Sequence, residues 1–326
     1  MEPQVQANSA YLLVTPVRDE LQQLSELVTT VRAQEHGPAV WVFVDGGSTD
    51  GTREALAALT AREPWIHVTG AESKARDSGV AASTPLDGDV TISGSPGYAA
   101  VVAHGFAYAA ALAEAEGIRY RHVANLDADI RCPPHLLAEM IARMDDDREV
   151  GIASCTVASV DGNGRSVVPP PAVDDAPRAG LRVWRRECVE EIGAYPTPCW
   201  AGVTGLRARN RGWKTVVYDD LLAETVQPEG SRAGWWAGLF AVGRDRWRVG
   251  AHPLLVAAEA ARASIHDRDL RGVALLAGYL EAVARRRTQL PDPEVRTYYG
   301  DDLPRQRVQG LVSRAARIAQ RIRGRS

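Results

Sequence analysis

Over its first 130 residues the chain alternates short β-rich runs, several ending in a polar or glycine-bearing tip, with stretches of helical periodicity. Tyr11-Leu-Leu-Val-Thr15 and Val40-Trp-Val-Phe-Val44 are apolar runs that read as buried strands, and Trp65-Ile-His-Val68 and the segment from Arg121 to Leu126 read as further strands. Leu21, Leu24, Leu27, Val28 and Val31 recur at helical spacing until Gly37-Pro38, and residues 53–62 and 98–116 read as further helices. Pro133-Pro134 opens another helix, since proline is tolerated in a first turn, and residues 150–157 return to a strand. Strands apolar on both faces, alternating with helices, predict βαβ units. The expected fold is therefore α/β and Rossmann-like, a mostly parallel sheet flanked by helices. Such sheets bind ligands at the carboxyl ends of their strands, so the polar tips are where chemistry is sought.

Beyond residue 160 the pattern changes. Asp161-Gly-Asn-Gly suits a hairpin turn, Pro169-Pro-Pro171 a stiff connector, residues 178–195 a strand entering a short helix, and residues 214–218 a strand. From Ala233 the chain reads as helical, with breaks near Pro253, Asp267 and Pro291-Asp-Pro293. The 326 residues are enough for two domains, and the expected division is 1–230 and 231–326, the second a helical extension making acceptor, membrane-surface or oligomer contacts. Thirty-eight basic residues against 41 acidic ones give a net charge of −3, which leaves no global field for nucleic acid. The four cysteines have no Cys-x-x-Cys spacing, so a disulfide scaffold is excluded and reduced buried thiols are expected. The start, Met-Glu-Pro-Gln-Val, lacks a basic n-region, and the longest uncharged run, Gly97 to Ala113, is too weakly apolar to span a bilayer. A cytoplasmic protein is expected, with room for peripheral contact on the inner face of the cell membrane.

Three polar tips end buried strands: Thr15-Pro-Val-Arg-Asp-Glu20, Asp45-Gly-Gly-Ser-Thr-Asp-Gly-Thr52 and Asn125-Leu-Asp-Ala-Asp129. Asp127 and Asp129, two apart in an extended segment, project to one side, where converging carboxylates gain by sharing Mg²⁺ or Mn²⁺. The same pair also reads as turn or capping aspartates ahead of Pro133-Pro134. Asp50 fits the cap of the helix starting near Thr52. Asp45 has no such explanation, and the glycines behind it let a planar ligand approach the backbone.

Taken together, Thr15-Pro-Val-Arg-Asp-Glu, Val44-Asp-Gly-Gly-Ser-Thr-Asp-Gly-Thr and Leu126-Asp-Ala-Asp resemble the family 2 glycosyltransferases of the GT-A fold. Arg185-Arg-Glu…Glu191-Ile-Gly and Arg211-Gly-Trp-Lys-Thr extend the resemblance, which spans roughly residues 10–230. It implies transfer of a sugar from a nucleotide-diphosphate donor, UDP-linked, to an unidentified acceptor, with a divalent cation (Mn²⁺ or Mg²⁺). It also implies that Thr15, Pro16, Arg18, Glu20 and Gly47 line the nucleotide pocket and that Asp45 bonds the base. Asp127 would then sit beside ribose or metal and Asp129 on the metal.

The resemblance fails where the general base belongs. Inverting members carry an acidic pair some thirteen residues before a Gly-aromatic pair, matched here by Gly212-Trp213, yet Cys199-Trp-Ala-Gly-Val-Thr-Gly-Leu-Arg207 contains no carboxylate. Thr225 and Gln227 stand where a histidine and an arginine are frequent. Asp219, Asp220 and Glu224, or Asp174 and Asp175 on a loop, are candidate bases, each equally readable as a solvated surface charge. Alternatively the acceptor is already ionised, transfer retains configuration, or the protein is a non-catalytic nucleotide-sugar-binding or scaffold protein. A nucleotidyltransferase would show a Gly-rich basic loop that Thr15 to Glu20 does not offer. Trp200 reads as core or as a ring that stacks on substrate.

In the last third, Gly234-Trp-Trp236 and Arg244-Asp-Arg-Trp-Arg248 alternate aromatic and basic residues. From Arg305 to Ser326, Val308, Leu311, Val312, Ala315, Ile318, Ala319 and Ile322 keep a 3–4 spacing with arginines between them. This basic amphipathic pattern suits an anionic membrane surface, a homodimer partner or a groove on its own domain.

Overall fold

Two strands show why the apolar runs are unbroken. β1 (Tyr11–Val17) and β2 (Val40–Asp45) pair in parallel, from Leu12 opposite Val40 to Val17 opposite Asp45. Alternate residues feed two cores. Tyr11, Leu13, Trp41 and Phe43 join Leu24, Leu27 and Val31 on one face, and Leu12, Val14, Val40, Val42 and Val44 meet Ala99, Val102 and Phe106 on the other. A strand sandwiched in this way has no polar side to show, so periodicity two is absent from its sequence. The computed structural model describes residues 10–70, 96–160, 166–168, 180–193, 200–226, 235–267 and 271–310.

Between and after these strands come α1 (Leu21–Arg32), α2 (Thr52–Thr60), β3 (Ile66–Gly70), α3 (Pro96–Ala115) and β4 (His122–Leu126). β3 extends β2 in parallel, and β4 lies parallel to the other edge of β1. A Cβ at Gly105 would fall 2.4 Å from Val14 Cγ1 and 2.8 Å from Val44 Cγ2, so only glycine lets α3 lie this close to the sheet. Next come β5 (Ile130–Arg131), α4 (Leu136–Asp146), β6 (Val150–Val160), β7 (Ser166–Val167), β8 (Leu181–Arg185), α5 (Arg186–Ile192), α6 (Trp200–Asn210) and β9 (Lys214–Thr225). The sheet order is β3-β2-β1-β4-β8-β6-β9-β5, with β7 on β6. It is parallel from β3 through β4. From there it is mixed, β8 running antiparallel to both β4 and β6, so the mostly parallel character belongs to the half that carries the tips. This is the expected α/β fold. The 161–164 turn and the 169–171 connector lie outside the described residues.

By contact the chain divides into two compact units, Met1–Glu229 and Gly230–Ser326. The second contains α7 (Trp235–Arg248), α8 (Pro253–Asp267), α9 (Arg271–Ala284) and α10 (Pro293–Thr297). Trp247 meets Tyr279 edge-on at 6.0 Å, and Glu281 accepts hydrogen bonds from Arg244 and Arg287. Charge is split sharply between the units. The first carries 20 basic against 32 acidic residues, the second 18 arginines against 9 acids. Among the described residues no helix is long and apolar enough to cross a membrane. Cys132, Cys155 and Cys188 are buried free thiols, and burial pushes the Cys188 thiol up to about 12.

Candidate functional site

Because β1, β2 and β4 are mutually parallel, their carboxyl ends share one sheet edge. Val17 stands opposite Asp45 and Val14 opposite Asn125, so all three polar tips emerge there. The first two tips are laced together. The Asp19 amide donates to Ser48 Oγ (3.0 Å), the Thr49 amide to Asp19 Oδ1 (2.7 Å), the Glu20 amide to Thr52 Oγ1 (2.9 Å) and the Leu21 amide to Asp50 Oδ2 (3.0 Å). Asp19 takes a left-handed φ of 55° to make this join, a conformation aspartate tolerates better than most residues. The N-cap of α2 is Gly51 and not Asp50 as expected, yet Asp50 Oδ1, one residue earlier, still accepts from the Thr52 amide at 3.0 Å.

Pocket residues expected from the first tip divide by burial. Thr15 is fully buried and its Oγ1 accepts from Trp41 Nε1 at 2.9 Å, so its side chain belongs to the core and lines no pocket. Glu20 is buried, whereas Pro16 and Arg18 are half-buried. Among the described residues Arg18 makes no hydrogen bond or ion pair, which leaves its guanidinium available at the edge. Gly47 has φ 91°, with nothing close to where a Cβ would be.

Asp45 has a structural task that sequence reading missed. It is 3% exposed; Oδ1 accepts from the Ser48 amide (2.9 Å) and Oδ2 from Arg53 Nε (2.9 Å), with Arg53 Nη2 at 2.8 Å. Burial would raise its carboxyl, but the hydrogen bonds from Ser48 and Arg53 outweigh burial and hold it below the usual range. The carboxylate shapes the 45–48 tip from within.

Asp127 and Asp129 flank the tip after β4, and each is oriented by a hydroxyl. Tyr98, in the first turn of α3, donates its phenol to Asp127 Oδ1 at 2.5 Å, and Thr225, the last residue of β9, donates to Asp129 Oδ2 at 3.1 Å. Burial, then the charge of Asp127, keep the Tyr98 phenol well above its usual range, with Arg182 opposing, so it is a donor. Beneath it, Asn125 Nδ2 donates to the phenol oxygen (3.3 Å) and Trp184 Nε1 to Asn125 Oδ1 (3.3 Å). Arg131 braces the tip by donating to the Ala128 carbonyl at 2.8 Å. Gly180 accepts from the Asp127 amide at 2.8 Å, and a Cβ there would lie 3.0 Å from Asp127 Oδ2.

Asp127 and Asp129 lie in a turn closed by the Ile130 amide on the Asp127 carbonyl (3.1 Å), not in the extended segment expected, and two hard carboxylates suit a hard divalent cation that takes its remaining oxygens from diphosphate and water. No group of three or more acidic, histidine or cysteine side chains that could hold a metal exists among the described residues. Any cation here would therefore depend on its ligand for further oxygens.

The base candidates separate from the site. Asp219 and Asp220 lie in a bulge of β9 between Tyr218 and Leu222, on the order of 10 Å along the strand from Thr225. Asp220 is gripped by both arms of Arg143, at 2.8 and 2.6 Å, which pulls its carboxyl below the usual range and makes it a poor proton acceptor. Asp219 is exposed. Glu224, opposite Arg131, is one strand position from Thr225 and so on the other face of the sheet. Asp174, Asp175, Cys199 and Gln227 lie outside the described residues. Trp200 is core: it is 2% exposed and packs on Tyr98 at 5.8 Å and Trp184 at 5.4 Å.

Tyr98, Trp184, Gly180 and Arg131 carried no sequence signal, because their partners lie far along the chain. Thr225 carried one, since it occupies the position where the resembled family has a histidine.

No model of a known protein family matches this chain, and no curated protein does. Among solved structures it is similar to a mannosyltransferase from Pyrobaculum calidifontis, solved with GDP-Man and Mn²⁺, at 16% identity and a TM-score of 0.50 over 96% of this chain and 81% of that one. S. aureus TarS 1-349, in complex with UDP-GlcNAc, matches at 15% identity and 0.46 over 74% of this chain and 66% of that one. A mycobacterial protein matches at 13% and 0.48, over 73% and 75%. The chain has a glycosyltransferase-like fold.

Proposed function

We propose that this chain is a glycosyltransferase, of the family 2 type, that takes a sugar from a nucleoside-diphosphate donor at the β1-β2-β4 edge. The observation that carries the reading is the convergence of three strand tips on that edge with Asp127 and Asp129 each oriented by a hydroxyl. The nucleotide would lie across the first two tips, Arg18 supplying a cation for phosphate and the buried Asp45 holding the turn against which the base, uracil by the resemblance, rests. Asp127 and Asp129 would hold Mn²⁺ or Mg²⁺. Such an ion neutralises the charge that grows on a departing diphosphate. The solved neighbours include proteins complexed with GDP-Man and Mn²⁺ and with UDP-GlcNAc, so both nucleotides are reasonable probes.

On the acceptor side α6 begins without an acidic residue. That favours an acceptor that is already ionised, or proton uptake by the departing phosphate with retention of configuration. It equally favours a second reading, a non-catalytic protein that binds nucleotide sugar. Calorimetric titration of UDP and GDP with Mn²⁺, followed by donor hydrolysis and transfer to an acceptor panel, separates the two. Asp129→Ala is expected to weaken metal-dependent nucleotide binding at least tenfold, and unchanged affinity would sink the assignment. Peripheral contact with an anionic membrane is proposed for the second unit on its arginine excess; from residue 311 the basic tail lies outside the described residues. Homodimerisation through the same tail is the alternative that light scattering tests.

A further inference from the structure

We propose that Tyr98 is a positioning residue for Asp127, the near end of a buried relay, Trp184–Asn125–Tyr98–Asp127, that fixes which carboxylate oxygen faces the ligand. The inference rests on the nucleotide-sugar reading of the same edge and deepens it.

The relay runs one way. Trp184 Nε1 can only donate, so Asn125 must present its carbonyl oxygen to it, at 3.3 Å. That choice turns the Asn125 amide nitrogen toward the phenol oxygen of Tyr98, also at 3.3 Å. With its lone pair engaged, the phenol gives its hydrogen to Asp127 Oδ1 at 2.5 Å. An indole at the start thus settles the amide orientation, the amide settles the hydroxyl, and the hydroxyl settles the carboxylate. Asn125 is fully buried, Trp184 is 2% exposed and Tyr98 4%, so water does not compete at the first two links, and only Asp127 at the end is half-buried.

The members come from separate elements. Asn125 is the penultimate residue of β4, Trp184 lies on the adjacent β8, where Val123 is its register partner, and Tyr98 is in the first turn of α3. Seating α3 on the sheet through Gly105 is what carries Tyr98 to the tip. The Tyr98 ring is held independently of its hydroxyl by Trp200, edge-on at 5.8 Å. Removing the hydroxyl alone therefore tests orientation and leaves packing in place. Partners that orient a metal ligand typically govern affinity by 10- to 100-fold.

The experiment titrates Mn²⁺ into the full chain at fixed UDP, and again at fixed GDP, for wild type, Tyr98→Phe, Trp184→Phe, the double variant and Asp127→Ala. Asp127→Ala should abolish metal-dependent nucleotide binding. Tyr98→Phe should weaken the Mn²⁺ response about tenfold while its ligand-free melting temperature stays near wild type. Trp184→Phe should weaken it about threefold, and in the Tyr98→Phe background should add nothing, because the relay is already cut. Wild-type affinity in Tyr98→Phe, or independent addition of the two effects, overturns the relay while Asp127→Ala still vouches for the site. If Tyr98→Phe does not fold, an unchanged Mn²⁺ response in Trp184→Phe overturns it instead. A wild-type chain that binds neither nucleotide with Mn²⁺ overturns the functional reading itself, and the relay with it.

Discussion

Gly180→Ala places one methyl group against the candidate metal ligand and against the buried Ile130. The new Cβ would lie 2.8 Å from Ile130 Cδ1, 3.0 Å from Asp127 Oδ2 and 3.5 Å from Asp127 Cγ. The first clash is with the end of an isoleucine, which can change rotamer for about 1 kcal/mol. The second is with the oxygen that Tyr98 does not hold, on a carboxylate anchored by its other oxygen. Ordinary carbon–oxygen contact begins near 3.4 Å, so the carboxylate must shift by a few tenths of an ångström or turn away from Tyr98. No left-handed φ is involved at residue 180, so the backbone itself accepts alanine. Alanine restricts the unfolded chain, favouring the fold by roughly 0.4–1 kcal/mol, against roughly 1–3 kcal/mol for crowding. Net destabilisation of about 1–2 kcal/mol should cost only several degrees of melting temperature. Function should suffer more. A misplacement of about half an ångström exceeds the tolerance of a coordinating group, and about a tenfold loss of Mn²⁺-dependent UDP affinity is expected. Calorimetry and a thermal melt on the same preparation supply both numbers. Full nucleotide affinity in Gly180→Ala would refute the idea that the placement of the Asp127 carboxylate governs binding.

Thr225→Val removes the hydroxyl that meets Asp129 at 3.1 Å and should weaken Mn²⁺ binding about tenfold, with Thr225→Ser close to wild type; an equal response from both variants would deny the hydroxyl its role. Asp220→Asn should leave nucleotide binding and transfer unchanged, since its exposed carboxylate is tied to Arg143, and a loss of turnover with intact binding would restore it as a base. Acid should weaken the fold through His122, which is fully buried and faces Arg121, Arg185, His36 and Asp145. Burial first, then those cations, lower its pKa from 6.5 to about 3, so below pH 6.5 the unfolded chain takes up a proton that the native state refuses. Stability should fall by about 1.4 kcal/mol per pH unit toward pH 3, by at most roughly 4–5 kcal/mol, with the raised carboxyl of Asp145 working in the opposite sense. Urea midpoints at pH 7 and 4.5 for wild type and His122→Leu measure the term, and parallel pH dependence in the two would contradict it.

What could be read from the sequence was local. The runs at Tyr11 and Val40 gave their strands because burial on both faces leaves an unbroken apolar signature, and the leucine spacing from Leu21 gave α1. β9 was read short, as residues 214–218, because Asp219-Asp220 looks like a strand ending in solvent. In fact those two residues bulge outward and the strand resumes to Thr225, which is how Thr225 reaches Asp129. β5, two residues long, has no periodicity to detect. In the sequence Asp45 looks free for a ligand, because its partner Arg53 sits eight residues on, across a turn whose geometry the sequence does not state. The relay from Trp184 to Asp127 joins residues 27 to 59 apart, beyond any local pattern.

The missing general base has a physical counterpart. In the stretch where the resemblance would place an acidic pair, α6 carries Trp200 at the vacant position and Thr204 one turn on, and both contact Arg182. The guanidinium, fully buried, lies 5.2 Å from the Trp200 ring centre and 5.6 Å from that of Trp184, and Nη1 donates to Thr204 Oγ1 at 3.2 Å. A carboxylate introduced at position 204 would face this cation in a buried setting, and the pairing would depress its pKa and take away its basicity. The environment of this stretch is thus built around a positive charge. On the proposed reading, a carboxylate base would be ill placed beside Arg182, which accords with an acceptor that is already ionised or with proton uptake by the donor's phosphate. The same buried cation lies close enough to oppose the field of Asp127 at Tyr98. At the Tyr98 phenol the positive charge of Arg182 therefore works against both Asp127 and Asp129.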